Sequence, residues 1–103
     1  MPESPAPNEQ PSLAMSGDVD MASEPEWRRR GEELLAANPA MRDVVVDMSR
    51  VDFLDSRGMA VLVELHTAAL GRGGKLRLLG VPPRVLKALG VAGLDQVFQI
   101  RTG

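Results

Sequence analysis

The chain has 103 residues, no cysteine, a single histidine and a net charge of −2, with 44 % hydrophobic and 25 % charged residues. This suffices for one domain with one core, and it excludes disulfides, thiol catalysis, cysteine-ligated zinc and a metal site built from histidines. No electrostatic footprint for nucleic acid is present, because the Arg28-Arg29-Arg30 cluster lies among Glu26, Glu32 and Glu33 and reads as a solvated helix face.

Residues 1–11 carry Pro2, Pro5, Pro7 and Pro11 among polar side chains and have little to bury. They are expected to form a disordered leader, followed by one domain over residues 12–103. The acidic, Pro-rich start does not have the pattern of a signal peptide. Leu13-Ala14-Met15 reads as a short strand closing into a turn at Ser16-Gly17-Asp18. Ser23-Glu24-Pro25-Glu26 matches a capping box, with the Ser23 hydroxyl on the Glu26 amide and the Glu26 carboxylate reaching back. Trp27, Gly31, Leu34 and Leu35 share one face of the helix that follows, so Trp27 reads as a core anchor. Asn38-Pro39 stops that helix.

Val44-Val45-Val46 with Met48 is a β-branched run, the pattern of a strand covered on both faces. Val51-Asp52-Phe53-Leu54 reads as a connector. Helical spacing runs from Ser56 to about Leu70, with Val61, Leu62, Leu65, Ala68 and Ala69 toward a sheet, and Gly71-Arg72-Gly73-Gly74 ends it. Its longest apolar stretch, Met59 to Val63, is far short of the roughly 18 residues of a membrane span, so a soluble, cytoplasmic protein is expected. Leu76-Arg77-Leu78-Leu79 is the next strand, and Pro82-Pro83 opens a short helix through Val85, Leu86 and Leu89 that Gly90 closes. Val97-Phe98-Gln99-Ile100 is the last strand. Alternating strands and helices with short connections indicate an α/β domain with a mainly parallel sheet and right-handed crossovers.

Ser56 carries the functional reading. It is expected as the N-cap of its helix, with its hydroxyl on an amide near Met59. Gly58, a poor helix former in the first turn, would leave the hydroxyl open to another molecule. The loop acids Asp52 and Asp55 make a poor phosphate cradle, and the P-loop pattern is absent.

Asp55-Ser56-Arg57-Gly58 after a Val-rich strand resembles the Asp-Ser-x-Gly signature of STAS domains, specifically bacterial anti-sigma factor antagonists. Ser16-Gly17-Asp18-Val19-Asp20 resembles the turn before that family's first helix. Gly73-Gly74-Lys75-Leu76-Arg77-Leu78 and Gly93-Leu94-Asp95-Gln96-Val97-Phe98 resemble its later strand entry and its ending. The resemblance implies a non-enzymatic protein that binds an anti-sigma factor serine kinase and so frees a sigma factor. Phosphorylation of Ser56 by that kinase would break the complex, and a PPM-type serine phosphatase would restore it. Asp20, Asp55, Ser56, Arg57, Gly58 and Met59 are then the expected partner-binding residues. A second stripe on the Ser56 helix, formed by Met59, Val63, His66 and Leu70, could add to docking; core packing is the commoner role for Met59 and Val63, and His66 reads as a surface side chain.

The pattern departs from the family at both ends. Pro-rich sequence holds the place of a first strand and the chain stops at Gly103, so a missing strand and a missing final helix are expected, with self-association as a homodimer. Arg57 puts a cation where many members have a small residue. The competing reading is a STAS subunit of a transport or stress-signalling assembly without phospho-switching. Against an enzyme, His66 lies ten residues beyond Ser56 in the same helix, about 15 Å along the axis, which is out of reach for a base. Asp47, Asp52 and Asp55 lack the second cluster or glycine-rich loop of metal or nucleotide chemistry, so no cofactor is expected; a nucleotide-binding regulatory role would rest on fold class alone.

Overall fold

A computed structural model describes residues 10–102, so most of the expected leader, and any strand within it, lies outside the described residues. The elements are β1 (Leu13–Val19), α1 (Glu24–Ala37), β2 (Val44–Leu54), α2 (Ser56–Gly71), β3 (Leu76–Val81), α3 (Pro83–Val91), a 3-10 turn (Leu94–Gln96) and β4 (Gln99–Thr102). The four strands form one parallel sheet in the order β1-β2-β3-β4. The expected α/β architecture with a mainly parallel sheet is therefore borne out.

Each crossover steps to the next strand in the same direction. Right-handed connections repeated in one direction put every helix on the same face of the sheet. One core results: Leu13, Met15 and Val19 of β1, Val44, Val46 and Met48 of β2, and Leu76 and Leu78 of β3 meet Trp27, Leu62, Leu65, Ala69 and Leu89 from the helices. Trp27, 5 % exposed with the Arg30 guanidinium 5.0 Å above its ring, anchors α1 as its position in the stripe indicates. Gly31 lets the Leu65 side chain approach α1 to within 3.1 Å of where a Cβ would stand.

All three valines of the run are buried, as a strand covered on both faces requires: Val44 and Val46 enter the core, and Val45, 6 % exposed, lies on the helix-free face where it pairs with Arg77.

Several local expectations are also corrected. β1 does not turn at Ser16-Gly17-Asp18; it continues to Val19, with a register shift at Gly17, whose φ is +69°. Residues 51–54 are no connector but the end of β2, paired with residues 17–19. The Ser23–Glu26 capping box does not form: Ser23 Oγ donates to the Asp18 carbonyl at 2.8 Å, and Glu26 pairs with Arg29. α3 runs on to Val91, and left-handed Gly93 follows it. The last strand begins at Gln99, leaving Val97 half-exposed in the preceding turn.

The end of α1 is held from outside. Arg72, following α2, donates from Nη1 to the carbonyls of Asn38 (2.7 Å) and Met41 (2.9 Å) and from Nη2 to Leu35 (3.0 Å). The last turn of α1 has no basic residue of its own, so this guanidinium brings a charged donor to the carboxyl end of the helix and to the Asn38 and Met41 carbonyls that follow it. Arg72→Ala should cost about 1–3 kcal/mol, which lowers the melting temperature by roughly 5–15 °C. Thermal unfolding followed by circular dichroism checks this; an unchanged midpoint would show that water replaces the clamp.

Candidate functional site

β1 and β2 are parallel neighbours, so the loops leaving their carboxyl ends lie side by side. Val19 pairs with Leu54, and the Asp55 amide donates to the Val19 carbonyl at 3.2 Å. This hydrogen bond joins the loop before α1 to the loop before α2. Asp20 and Asp55 each follow their strand directly, so both acids stand at the same edge of the sheet.

Asp55, not Ser56, caps α2. Its Oδ1 accepts from the amides of Arg57 (2.9 Å) and Gly58 (3.0 Å), and its carbonyl accepts from Met59 (2.9 Å). A carboxylate one residue earlier reaches the second and third amides and also complements the helix dipole, so it takes the place expected for the hydroxyl. Ser56 becomes the first helical residue, exposed, with its hydroxyl not engaged in capping.

Gly58 has a different role from the one its sequence position suggests. It is buried, and a Cβ there would stand 2.5 Å from the Val19 carbonyl oxygen, 2.6 Å from Leu54 Cδ1 and 2.8 Å from Val19 Cγ1. Its missing side chain admits the strand ends, not an outside molecule. Gly58 therefore seats the first turn of α2 on the sheet and fixes the direction in which Ser56 projects.

The other predicted residues divide by role. Asp20 Oδ1 accepts from the amides of Ala22 (3.0 Å) and Ser23 (3.1 Å), which shapes the turn into α1. Arg57 reaches across to α1, with Nη1 3.7 Å from Glu24 Oε1. Glu24 also binds Arg28 at 3.1 Å, and Arg28 bonds Glu64 of α2 through Nε at 3.1 Å. These carboxylates raise the Arg28 guanidinium above its ordinary value, and Arg28 holds Glu64 below the usual carboxylate range. Met59 is half-buried against the core. Along the rest of its stripe Val63 and Leu70 are exposed, but His66 is not the surface side chain expected: it is half-buried, edge-on to Phe98 with ring centroids 5.5 Å apart.

Two residues at this edge escaped the sequence reading. Met21 is 66 % exposed in the loop before α1, and Phe53 is 49 % exposed near the end of β2. Phe53 was not legible from alternation: it is two residues from the buried Val51 and so in phase with it, and the register shift between Gly17 and Asp18 turns it outward. Large apolar side chains left in water beside an exposed serine make an anchor for another protein. The open groove of about 370 Å³ beside the loop is lined by Val51, Asp52, Pro82, Pro83 and Arg84, without Ser56. Ser56 and His66 stand nearly three helical turns apart, so they do not form a nucleophile–base pair. Among the described residues no helix is long and apolar enough to cross a membrane.

Comparison with known proteins matches residues 4–101 to the family model described as "Mlab, STAS domain". An anti-sigma-B factor antagonist of Bacillus subtilis (strain 168) is 26 % identical over 86 residues, which cover 84 % of this chain and 76 % of that protein. The solved anti-sigma factor antagonist SpoIIAA in its unphosphorylated form superposes with a TM-score of 0.70 at 20 % identity, over 86 % of this chain and 76 % of that one. A sulfate transporter family protein from Wolinella succinogenes does so with a TM-score of 0.71 at 21 % identity, over 92 % and 83 %. At these identities the two structures establish a shared fold.

Gly58→Ala tests how the site is built. Better helix propensity offsets part of the clash with the Val19 carbonyl, leaving a net destabilisation of about 1–2 kcal/mol. Urea unfolding measures it; a variant as stable as the wild type would refute close packing at Gly58.

Proposed function

The chain belongs to the STAS domain family, and on that footing we propose that it is an anti-sigma factor antagonist, switched off by phosphorylation of Ser56. The observation that carries the reading is the exposed Ser56 hydroxyl, free of capping and held at a fixed edge of the sheet by Asp55 and Gly58. The names of the Bacillus subtilis relative and of SpoIIAA, the latter described in its unphosphorylated form, support both the role and the switch. The partner is an anti-sigma factor that is also a serine kinase, a PPM-type phosphatase reverses the modification, and the cytoplasm is where all three meet.

The corrected geometry sharpens the physics of such a switch. A phosphoryl group adds about −1.5 to −2 charge at neutral pH. A free helix N-terminus would accommodate that charge, but Asp55 already occupies the amides of Arg57 and Gly58. The new dianion therefore meets a carboxylate, and the adjacent cation, Arg57, is paired with Glu24. Burying it against a partner that contacts Met21 and Phe53 costs several kcal/mol unless the partner supplies a cation. A loss of about 3 kcal/mol weakens binding more than a hundredfold. The change is local and the fold need not alter.

A second reading is favoured by one observation, the matches to the "Mlab, STAS domain" model and to a sulfate transporter family protein. In it the chain is a STAS subunit of a transport assembly and Ser56 is not modified. The two readings separate in calorimetric titration of a kinase-type anti-sigma factor with wild type, Ser56→Ala and Ser56→Asp. The alanine variant should bind like wild type and the aspartate variant at least about a hundredfold more weakly. Incubation with that kinase and ATP should add one phosphoryl group to the wild-type mass and none to Ser56→Ala. Equal binding by all three forms removes the switch.

A further inference from the structure

Between the second half of α2 and the amino ends of β3 and β4 lies a cavity of about 340 Å³. The strands are parallel, so it sits at the opposite end of the sheet from Ser56, which follows the carboxyl end of β2. Leu76 and Phe98, both buried, form its floor, and Leu70 (57 % exposed) and Val97 (47 % exposed) stand in water on its rim. Two large apolar side chains facing one hollow leave surface for something to cover. The polar groups of the lining are few. His66 lies edge-on to Phe98, and its Nδ1 is buried without a hydrogen-bond partner among the described residues, so the ring can turn toward a ligand without breaking a bond. Gln99 adds an exposed amide. Lys75 is the one charged residue of the lining; it is exposed, and its ammonium forms no ion pair among the described residues. The acid nearest in contact, Asp43, accepts from the Lys75 amide (2.9 Å) and lies 3.9 Å from Arg77 instead. The Ala69 and Leu70 carbonyls that close α2 are taken by the amides of Arg72, Gly73 and Gly74, so they are not turned on the cavity as free acceptors.

We propose that this cavity binds a small apolar carboxylate, its hydrocarbon against Leu70, Val97 and Phe98 and its carboxylate at Lys75. The occupant follows from complementarity. An apolar hollow whose single charge is an unpaired cation, with no acid in its lining, selects a ligand that is apolar at one end and anionic at the other. Its volume lies at the lower end of the range of ligand pockets, which suits a molecule of about ten non-hydrogen atoms. His66 and Gln99 supply the remaining hydrogen-bonding groups within the same lining. Because the cavity and Ser56 stand at opposite ends of α2, the site does not depend on the regulatory reading.

Octanoate is the probe, with octanol and octylammonium as controls, each titrated into the isotope-labelled full chain and followed by amide chemical shifts. Octanoate should bind with a dissociation constant of about 0.1–1 mM, shifting the amides of Leu70, Leu76, Phe98 and Gln99 and leaving those of Arg57 and Gly58 unmoved. Octanol should bind about threefold to tenfold more weakly, and octylammonium more weakly still. Lys75→Met keeps an apolar stem and removes the charge; it should weaken octanoate about threefold to tenfold and leave octanol unchanged. Leu70→Gln should weaken both. Each substitution is at an exposed side chain, and circular dichroism confirms that both variants fold. No shift up to about 5 mM octanoate, shifts away from the cavity, equal affinity for all three probes, or a Lys75→Met variant that binds octanoate like wild type overturns the proposal. Concentration-dependent broadening of the same amides without any probe also overturns it, because a second copy then fills the cavity.

Discussion

At Gly58 a helix touches the ends of two strands so closely that a methyl group would stand 2.5 Å from a carbonyl oxygen. The same turn is closed by Asp55, whose carboxylate takes two amides while its own amide donates to β1. Together these contacts make one rigid corner from β1, β2 and α2. Ser56 projects from that corner with neither its own hydrogen bonding nor neighbouring bulk constraining its hydroxyl. The proposed switch needs an exposed side chain on an immobile backbone, and the corner supplies both.

The ion pairs along α1 and α2 act at the same edge. Arg57, Glu24, Arg28 and Glu64 form a chain from the serine to the flank of α2. Exposed pairs of this kind add little stability. Their consequence is positional: Arg57 is turned toward α1, and Glu24 keeps Arg28 even when Arg57 moves.

The sheet imposes the second constraint. Strand order β1-β2-β3-β4 with right-handed crossovers leaves one face without helices, and a parallel sheet has no alternation strict enough to make that face wholly polar.

Much of this was legible in the residues. The strand and helix runs, the stop at Asn38-Pro39 and Trp27 as an anchor follow from spacing and composition, because period, caps and breakers act within a few residues; the Asp-Ser-x-Gly stretch stood out by its resemblance to a family. What stayed hidden depended on contacts between distant parts. Whether Asp55 or Ser56 caps α2 turns on which side chain reaches the amides once Asp55 is tied to Val19. Gly58 looked open because nothing local shows that β1 lies against it, and His66 looked exposed because Phe98 arrives from the far end of the chain. The sequence alone determined which segments become strands and helices and which serine stands out. Only the tertiary structure decided what touches that serine's turn and which sheet face the helices cover, because both follow from strand order and crossover hand, properties that no local stretch of residues encodes.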